Sequence, residues 1–304
     1  MKLFQKNFLI FIFILSMIFL FAYFLPPTPK TNQSPLQVII DKNNLLEKIN
    51  SPRLILVGGS SASFGFNSEL LKKFYKLDVI NMGMHAKFGL KFHLDNVIRF
   101  IEEGDIVIVA PEYDQFFDKF AFGGEPLAKY LLDIDRFSYT DLNADQIFIV
   151  IKSMPKILLS KIFNPSEYFF KKSKVYSKDS YNYYGDATGH VNLKRKKNIA
   201  PYGPIKGKLN YDVFLMLEKF NNKIKDKGAV CFISFPALQK STFINQEDQI
   251  KQVISKLDIS NLSIISNYEE YIFNDSLFYD TPYHLTSEGI KMRTHLLIND
   301  LVNN

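Results

Sequence analysis

Residues 53–68, RLILVGGSSASFGFNS, constrain the fold more than any other stretch of the chain. Leu54, Ile55, Leu56 and Val57 form a short apolar run, the pattern of a strand buried on both faces of a parallel sheet. The run stops at Gly58-Gly59, two serines follow, and Asn67-Ser68-Glu69-Leu70-Leu71 begins a helical pattern. A glycine pair closing a buried strand lets the backbone turn sharply. It delivers Ser60 at the carboxyl end of the sheet, where open α/β folds bind their ligands. Ser60 is therefore either a nucleophile or a polar loop residue.

The rest of the chain alternates in the same way. Helical patterns at 68–75, 88–103, 211–227, 247–257 and 286–302 are interleaved with strand patterns at 78–81, 105–110, 228–234 and 262–265. This alternation predicts an α/β fold, a three-layer sandwich with a central parallel sheet. Residues 36–49 carry a helical stripe interrupted by polar residues 41–44. Between the strands at 105–110 and 228–234 lies an insertion of about 116–204, rich in Tyr, Phe and Lys. A structureless loop of that length is improbable in a compact domain, so a mostly helical cap is expected, with a helix at 145–163 despite Pro155. Its aromatic and basic residues suit a groove for a sugar polymer or an anionic envelope component. The run Lys194-Arg195-Lys196-Lys197 taken alone fits a solvated basic face better than a binding groove.

Composition limits the function classes. The 304 residues are 47% hydrophobic, enough for a full core, and the formal charge of +6 is modest for this length. No basic cluster accompanies a recognition motif, which argues against nucleic acid as a partner. The single cysteine, Cys231, lies in an apolar run and cannot form an internal disulfide. Phe8–Leu25 is an almost unbroken apolar run with Lys2 and Lys6 before it and Pro26-Pro27 after it. Its length and the absence of a small-residue cleavage site predict an uncleaved transmembrane anchor rather than a cleaved signal. The lysines place the amino end in the cytoplasm and the domain outside it, single-pass and facing the periplasm or cell surface. The expected organisation is an anchor at 1–25, a proline-rich linker and leading helix at 26–50, and the α/β domain at 51–304.

Histidine is the side chain best suited to proton transfer near neutral pH, and the chain has five. His284 stands just before the last helix, with Asp280 four residues earlier across a Thr281-Pro282 turn. Asp280 can orient His284, and His284 can activate Ser60, whose hydroxyl is a weak nucleophile by itself. Asn81-Met82-Gly83 closes the second strand, where the N–H of Gly83 is placed to donate to an oxyanion together with that of Ser60. Each residue also fits an ordinary structural role: serines cap helices, and Asp280 can cap its turn. His85 follows Gly83 closely and is expected to line the pocket. No zinc-type spacing and no phosphate-binding glycine loop is present, so neither a metal nor a cofactor is implied.

These blocks resemble the SGNH (GDSL-like) hydrolase and acyltransferase superfamily, and within it exported proteins of polysaccharide O-acetylation. Gly58-Gly59-Ser60 is similar to the Gly-Asp-Ser block, with Gly59 where the family often has aspartate. Asn81-Met82-Gly83 resembles the second block, and Asp280 to His284 the last. Pro111-Glu112-Tyr113-Asp114 occupies the place of the third block, which makes Glu112 and Tyr113 substrate-side candidates. The family's Gly-x-Asn-Asp is absent there, and an ionised Glu112 accepts hydrogen bonds where the family's asparagine donates. Asp280 and His284 are four apart, against the common Asp-x-x-His. Aligning Gly58-Gly59-Ser60 on Gly-Asp-Ser favours Ser60 over Ser61 as nucleophile. The resemblance covers the sheet core and leaves the insertion unexplained. It implies a Ser60–His284–Asp280 triad acting on acyl groups of a polysaccharide, as esterase or O-acyltransferase, with a membrane-bound O-acyltransferase as partner. The alternative is a non-catalytic module of the same fold that binds glycan.

Overall fold

The computed structural model describes residues 2–136 and 141–303. Helix α1 (Lys2–Phe24) contains most of the apolar run and is long and apolar enough to cross a bilayer, with a mean hydropathy of 2.9. At 1.5 Å per residue it reaches about 35 Å. A one-turn helix α2 (Pro29–Asn32), capped by Thr28, and α3 (Val38–Lys48) lead into the domain. Helix α3 is continuous through the polar residues at 41–44, because Lys42 turns inward and donates to the Gly83 carbonyl at 2.5 Å.

The domain then alternates as the hydrophobic pattern requires. In order come β1 (Arg53–Gly58), α4 (Ser60–Ser63), α5 (Ser68–Tyr75), β2 (Asp78–Asn81), α6 (Leu90–Val97) and β3 (Ile106–Ala110). The insertion contributes α7 (Glu125–Lys129) and α8 (Ala144–Phe163). The chain closes with α9 (Tyr211–Asp226), β4 (Val230–Ile233), β5 (Leu238–Gln239), α10 (Lys240–Leu257), β6 (Ile272–Phe273) and α11 (Ser287–Val302). Four strands form a parallel sheet in the order β2-β1-β3-β4, with Ile55 opposite both Ile80 and Val107, and Val107 opposite Cys231. The short β5 and β6 pair separately. The strand pattern at 262–265 amounts to one bridge, Ile264 to Ile233, at the edge of the sheet.

The two-residue period of β1 sorts its side chains between two cores. Ile55 and Val57 pack with Leu94 and Val97 of α6, Leu217 and Phe220 of α9, and Val253 of α10. Leu54 and Leu56 pack on the other face with Leu71 of α5 and Leu297 of α11. The sheet is thus covered by helices on both sides, the three-layer arrangement that its apolar strands need.

Helix in the insertion is concentrated in its first half: α7, a π-helical turn at Tyr130–Ile134, and α8. Residues 137–140 lie outside the described residues. From 164 to 210 the chain has only short 3-10 turns and isolated bridges, so the expectation of a mostly helical cap fails there. Polar anchors hold this half instead. Buried Asp186 accepts from Ser68 N at 3.0 Å, Ser68 Oγ at 2.6 Å and Asn81 Nδ2 at 2.8 Å, which ties the insertion to β2 and α5.

Arg53 opens β1 as a fully buried cation. Its guanidinium meets Asp105 in a bidentate pair, Nε to Oδ1 at 3.1 Å and Nη2 to Oδ2 at 2.7 Å. It also donates to the carbonyls of Leu46, Ile49 and Phe100. One side chain thereby joins the end of α3, the segment after α6, and the start of β3. Removing one partner of such a pair strands a buried charge, which typically costs about 3–5 kcal/mol. Asp105→Ala should lower the unfolding free energy by about that much in a urea titration. A loss under about 1 kcal/mol, as at an exposed pair, would contradict this account.

Candidate active site

The carboxyl ends of β1 and β3 create the site. Gly58 sits so close to β3 that a Cβ there would lie 2.6 Å from the Ala110 carbonyl. The chain then turns through Gly59 into α4, with Ser60 as its first helical residue. Ser60 is half-buried and lines a cavity of about 320 Å³ together with His85, Glu112, Tyr202 and His284. Ser61 points the other way: its hydroxyl is buried without a partner among the described residues, and its carbonyl accepts from Arg293 Nη1 at 2.5 Å. Arg293, from α11, lies under α4 with its guanidinium 4.0 Å from the Phe66 ring centre.

His284 reaches the same cavity from the loop before α11. Its Nδ1 is 2.9 Å from Asp280 Oδ1. The four-residue spacing is absorbed by a turn in which Thr281 Oγ1 accepts from His284 N at 3.2 Å, while Tyr279 N donates to the His284 carbonyl at 2.7 Å. Phe64 stacks on the imidazole at 4.0 Å with 12° between the planes. Tyr176, from the insertion, donates to Asp280 Oδ2 and stands 3.2 Å from His284 Nδ1. Burial works to raise the Asp280 pKa. The hydrogen bonds from His284 and Tyr176 outweigh it and hold the carboxyl below its ordinary value, as a carboxylate that keeps the imidazole oriented.

Glu112, two residues past β3, is the polar side chain that meets the Ser60 hydroxyl. Its Oε1 accepts from Ser61 N at 2.8 Å and from the Ser60 hydroxyl at 3.3 Å. A Cβ on residue 59 would lie 2.4 Å from this oxygen, so glycine at 59 is what admits the glutamate. Burial pushes the Glu112 pKa up to about 7, with Asp114 adding to the rise, while Ser61 N–H, the Ser60 hydroxyl and Arg293 oppose it. Near neutral pH a large fraction of Glu112 is therefore the neutral acid, which has a proton to donate.

Two sequence expectations for the site need correction. The N–H of Gly83 is given to Asn81 Oδ1 at 2.9 Å, and the residue lies against Ser63 and Ala62 rather than on the cavity. Asparagine bonding the N–H two residues on is a standard local turn, so Asn81-Met82-Gly83 itself carried that signal. Tyr113 is buried in the main core and does not reach the cavity. Arg195, in the run Lys194–Lys197, gives its guanidinium to the Phe278 and Asp275 carbonyls and braces the insertion. His85 is at the rim, its Nδ1 accepting from Lys87 N at 3.1 Å. His190 is buried, with Nε2 2.8 Å from the Leu285 carbonyl. Tyr176 and Arg293 were not legible, because neither belongs to a motif and each is placed by tertiary packing.

The cavity continues into a larger depression of about 530 Å³ through the shared residues His85, Lys87 and Phe120. Lys129, on the wall of that depression, is bound to Glu167 at 3.1 Å, and Glu167 accepts from Thr28 at 2.8 Å, just beyond α1. Among the described residues no group of three or more His, Cys, Asp or Glu side chains is arranged to hold a metal ion.

No family model matches the chain, and no curated protein is significantly similar to it. Among solved structures, protein YxiM from Bacillus subtilis is similar over 83% of this chain and 57% of its own, at 12% identity and a TM-score of 0.37. The chain thus spans little more than half the length of that protein.

The Glu112 environment makes stability depend on pH with a definite sign. Its folded pKa of about 7 lies above the ordinary value of 4.5, so the folded state binds the proton more tightly than the unfolded chain. The advantage is complete below about 4.5 and is lost as pH rises through about 7. Chemical denaturation across that window should show Glu112→Gln losing less stability with rising pH than the parent. Parallel slopes for the two proteins would mean that Glu112 is ionised throughout.

Proposed function

We propose that this protein is a membrane-anchored, extracytoplasmic SGNH-type serine esterase or O-acyltransferase acting on acyl groups, such as acetyl, of a cell-envelope or extracellular polysaccharide. The observation that carries this reading is the placement of Ser60 and His284 on one cavity, with Asp280 bonded to the imidazole Nδ1 at 2.9 Å. Helix α1 supplies the anchor, and the basic amino end favours a domain outside the cytoplasm. The similarity of the sequence blocks to exported O-acetylation proteins supplies the substrate class. Acetyl-CoA is not available there, so a transferase would draw its acyl groups from a membrane partner such as a membrane-bound O-acyltransferase.

In this mechanism the Ser60 hydroxyl rotates from Glu112 toward His284 Nε2 and passes its proton there as Oγ bonds the acyl carbon. Asp280 and Tyr176 hold the imidazolium in place. The oxyanion is met by the Ser60 N–H, at the first position of α4 where the helix itself offers no acceptor, and by Glu112 in its acid form. Glu112 thus takes the donor's part that the family gives to asparagine. Collapse breaks the ester C–O bond, and the leaving oxygen takes the proton from His284. Water or a sugar hydroxyl then attacks the acyl-Ser60, yielding its own proton to His284 and restoring the serine.

A second reading, a non-catalytic glycan-binding module, is favoured by one observation: the Ser60 hydroxyl is bonded to Glu112 rather than to His284. The two readings part on p-nitrophenyl acetate turnover and on labelling by a serine-directed phosphonate. Ser60→Ala and His284→Ala should each cut turnover by roughly 10⁴-fold or more, and nearly equally. Tyr176→Phe removes one bond to a charged group, for a loss of about tenfold. Glu112→Gln keeps a donor and should retain activity within about tenfold, whereas Glu112→Ala should lose roughly 10²-fold or more. An inactive Glu112→Gln with an active parent would show that the carboxylate form is needed. A parent that neither turns over nor labels would leave the binding module standing.

A further inference from the structure

We propose that the outer face of α8 is a second membrane contact, lying in the boundary layer of the bilayer that α1 crosses. This rests on reading α1 as a transmembrane anchor. Helix α8 is apolar on both sides. Its inner side packs Ile157 against Ala128 and Leu132, while its outer side leaves Phe148 65%, Ile151 60% and Phe163 67% exposed. A helix in water keeps one side polar, so large apolar residues on the outer side call for a second cover.

The attachment of α1 says what that cover is. Leu15, Ile18, Phe19, Ala22 and Tyr23 are the less exposed positions of α1 and fall on one helical stripe, and α8 is the element that α1 packs against. Tyr23 reaches the cluster that contains Ile157 and Met154 of α8. The end of α1 is clamped as well. The Leu25 carbonyl accepts from Lys161 Nζ at 2.6 Å and from Arg136 Nη2 at 2.7 Å, and Lys161 is itself paired with buried Asp133 at 2.8 Å.

These contacts fix the depth of α8. Leu15 lies about 15 Å below Leu25 along the axis of α1. An element beside Ala22 and Tyr23 and bonded at Leu25 stands at the level where acyl chains meet headgroups. A helix at that level buries an apolar face and keeps lysines at its margins, where they reach the headgroups. Lys152 is an exposed cation on the outer side of α8, and Lys156 beside it is paired with Glu125 of α7 at 2.6 Å. Phe169, 84% exposed, follows Tyr168, whose hydroxyl bonds the Lys161 carbonyl at 2.6 Å, so the apolar surface carries on past the end of α8 with the aromatic residues typical of this layer. Because α7 packs on α8 and walls the depression next to the Ser60 cavity, the contact would hold that depression near the lipid surface.

The chain has no tryptophan, so single-tryptophan variants report without background. Full-length protein carrying Phe148→Trp or Ile151→Trp would be reconstituted in phosphatidylcholine–phosphatidylglycerol vesicles with and without brominated acyl chains. Leu20→Trp in α1 marks the bilayer interior, and Ile259→Trp, 76% exposed after α10, marks water. All four sites are exposed, so folding is not at stake. The expected result is quenching at 148 and 151 comparable to that at 20, with emission blue-shifted from that at 259. Quenching at 20 alone, with red emission at 148 and 151, would place the face in water and overturn the contact while sparing the anchor. Blue-shifted emission without quenching would mean that protein, a second copy or a membrane partner, covers the face. No quenching at 20 would remove the anchor, and the contact with it.

Discussion

The carboxyl group of Glu112 occupies the space that any side chain on residue 59 would need, and the site is built around that exclusion. With glycine at 59 the carboxyl lies against the turn between β1 and α4, where it accepts the Ser61 N–H and the Ser60 hydroxyl. The ends of two adjacent parallel strands are thereby joined through one acid, and Ser60 is held as the first residue of α4. A side chain at 59 would push the Glu112 carboxyl out of this position, since its Cβ would lie 2.4 Å from Oε1. Burial raises the Glu112 pKa to about 7, so near neutral pH a large fraction of the group beside the Ser60 hydroxyl is uncharged.

What the sequence made legible is what local pattern determines. The doubly buried strands read directly from their apolar runs, and Ser60, Asp280 and His284 stand out because strand ends and the final loop converge at one edge of a parallel sheet. The unusual spacing of Asp280 and His284 is absorbed by Thr281, whose side chain accepts the His284 N–H inside the turn. What was not legible depends on pairs distant in sequence. Tyr176 bonds a carboxylate 104 residues away, and Arg293 reaches a carbonyl 232 residues away. Lys42 illustrates the limit from the other side. It reads as a solvent-facing break in a helical stripe, yet it is buried, with its pKa lowered to about 7 by burial, against the opposing charge of Asp186, and it bonds the Gly83 carbonyl. Tyr113 shows the converse error, since adjacency to Glu112 in sequence sends its side chain into the core rather than into the cavity.

The insertion, opaque as sequence, ties α1 to the site. Its second half brings Tyr176 to the Asp280–His284 pair and Asp186 to Ser68 and Asn81, the residues that frame α4 and the end of β2. Its first half holds the end of α1 through Lys161 and Arg136, and the linker through Glu167 with Thr28. A domain on a free tether would sample all orientations, and such clamps would be wasted on it. Two buried or half-buried cations on one helix-end carbonyl, with Lys161 neutralised by Asp133, form a joint of fixed angle. A fixed joint matters only when the direction in which the cavity faces matters. On the esterase or acyltransferase reading proposed above, that condition is met if the acyl donor or acceptor is presented from the membrane, and not if it diffuses in from bulk solvent.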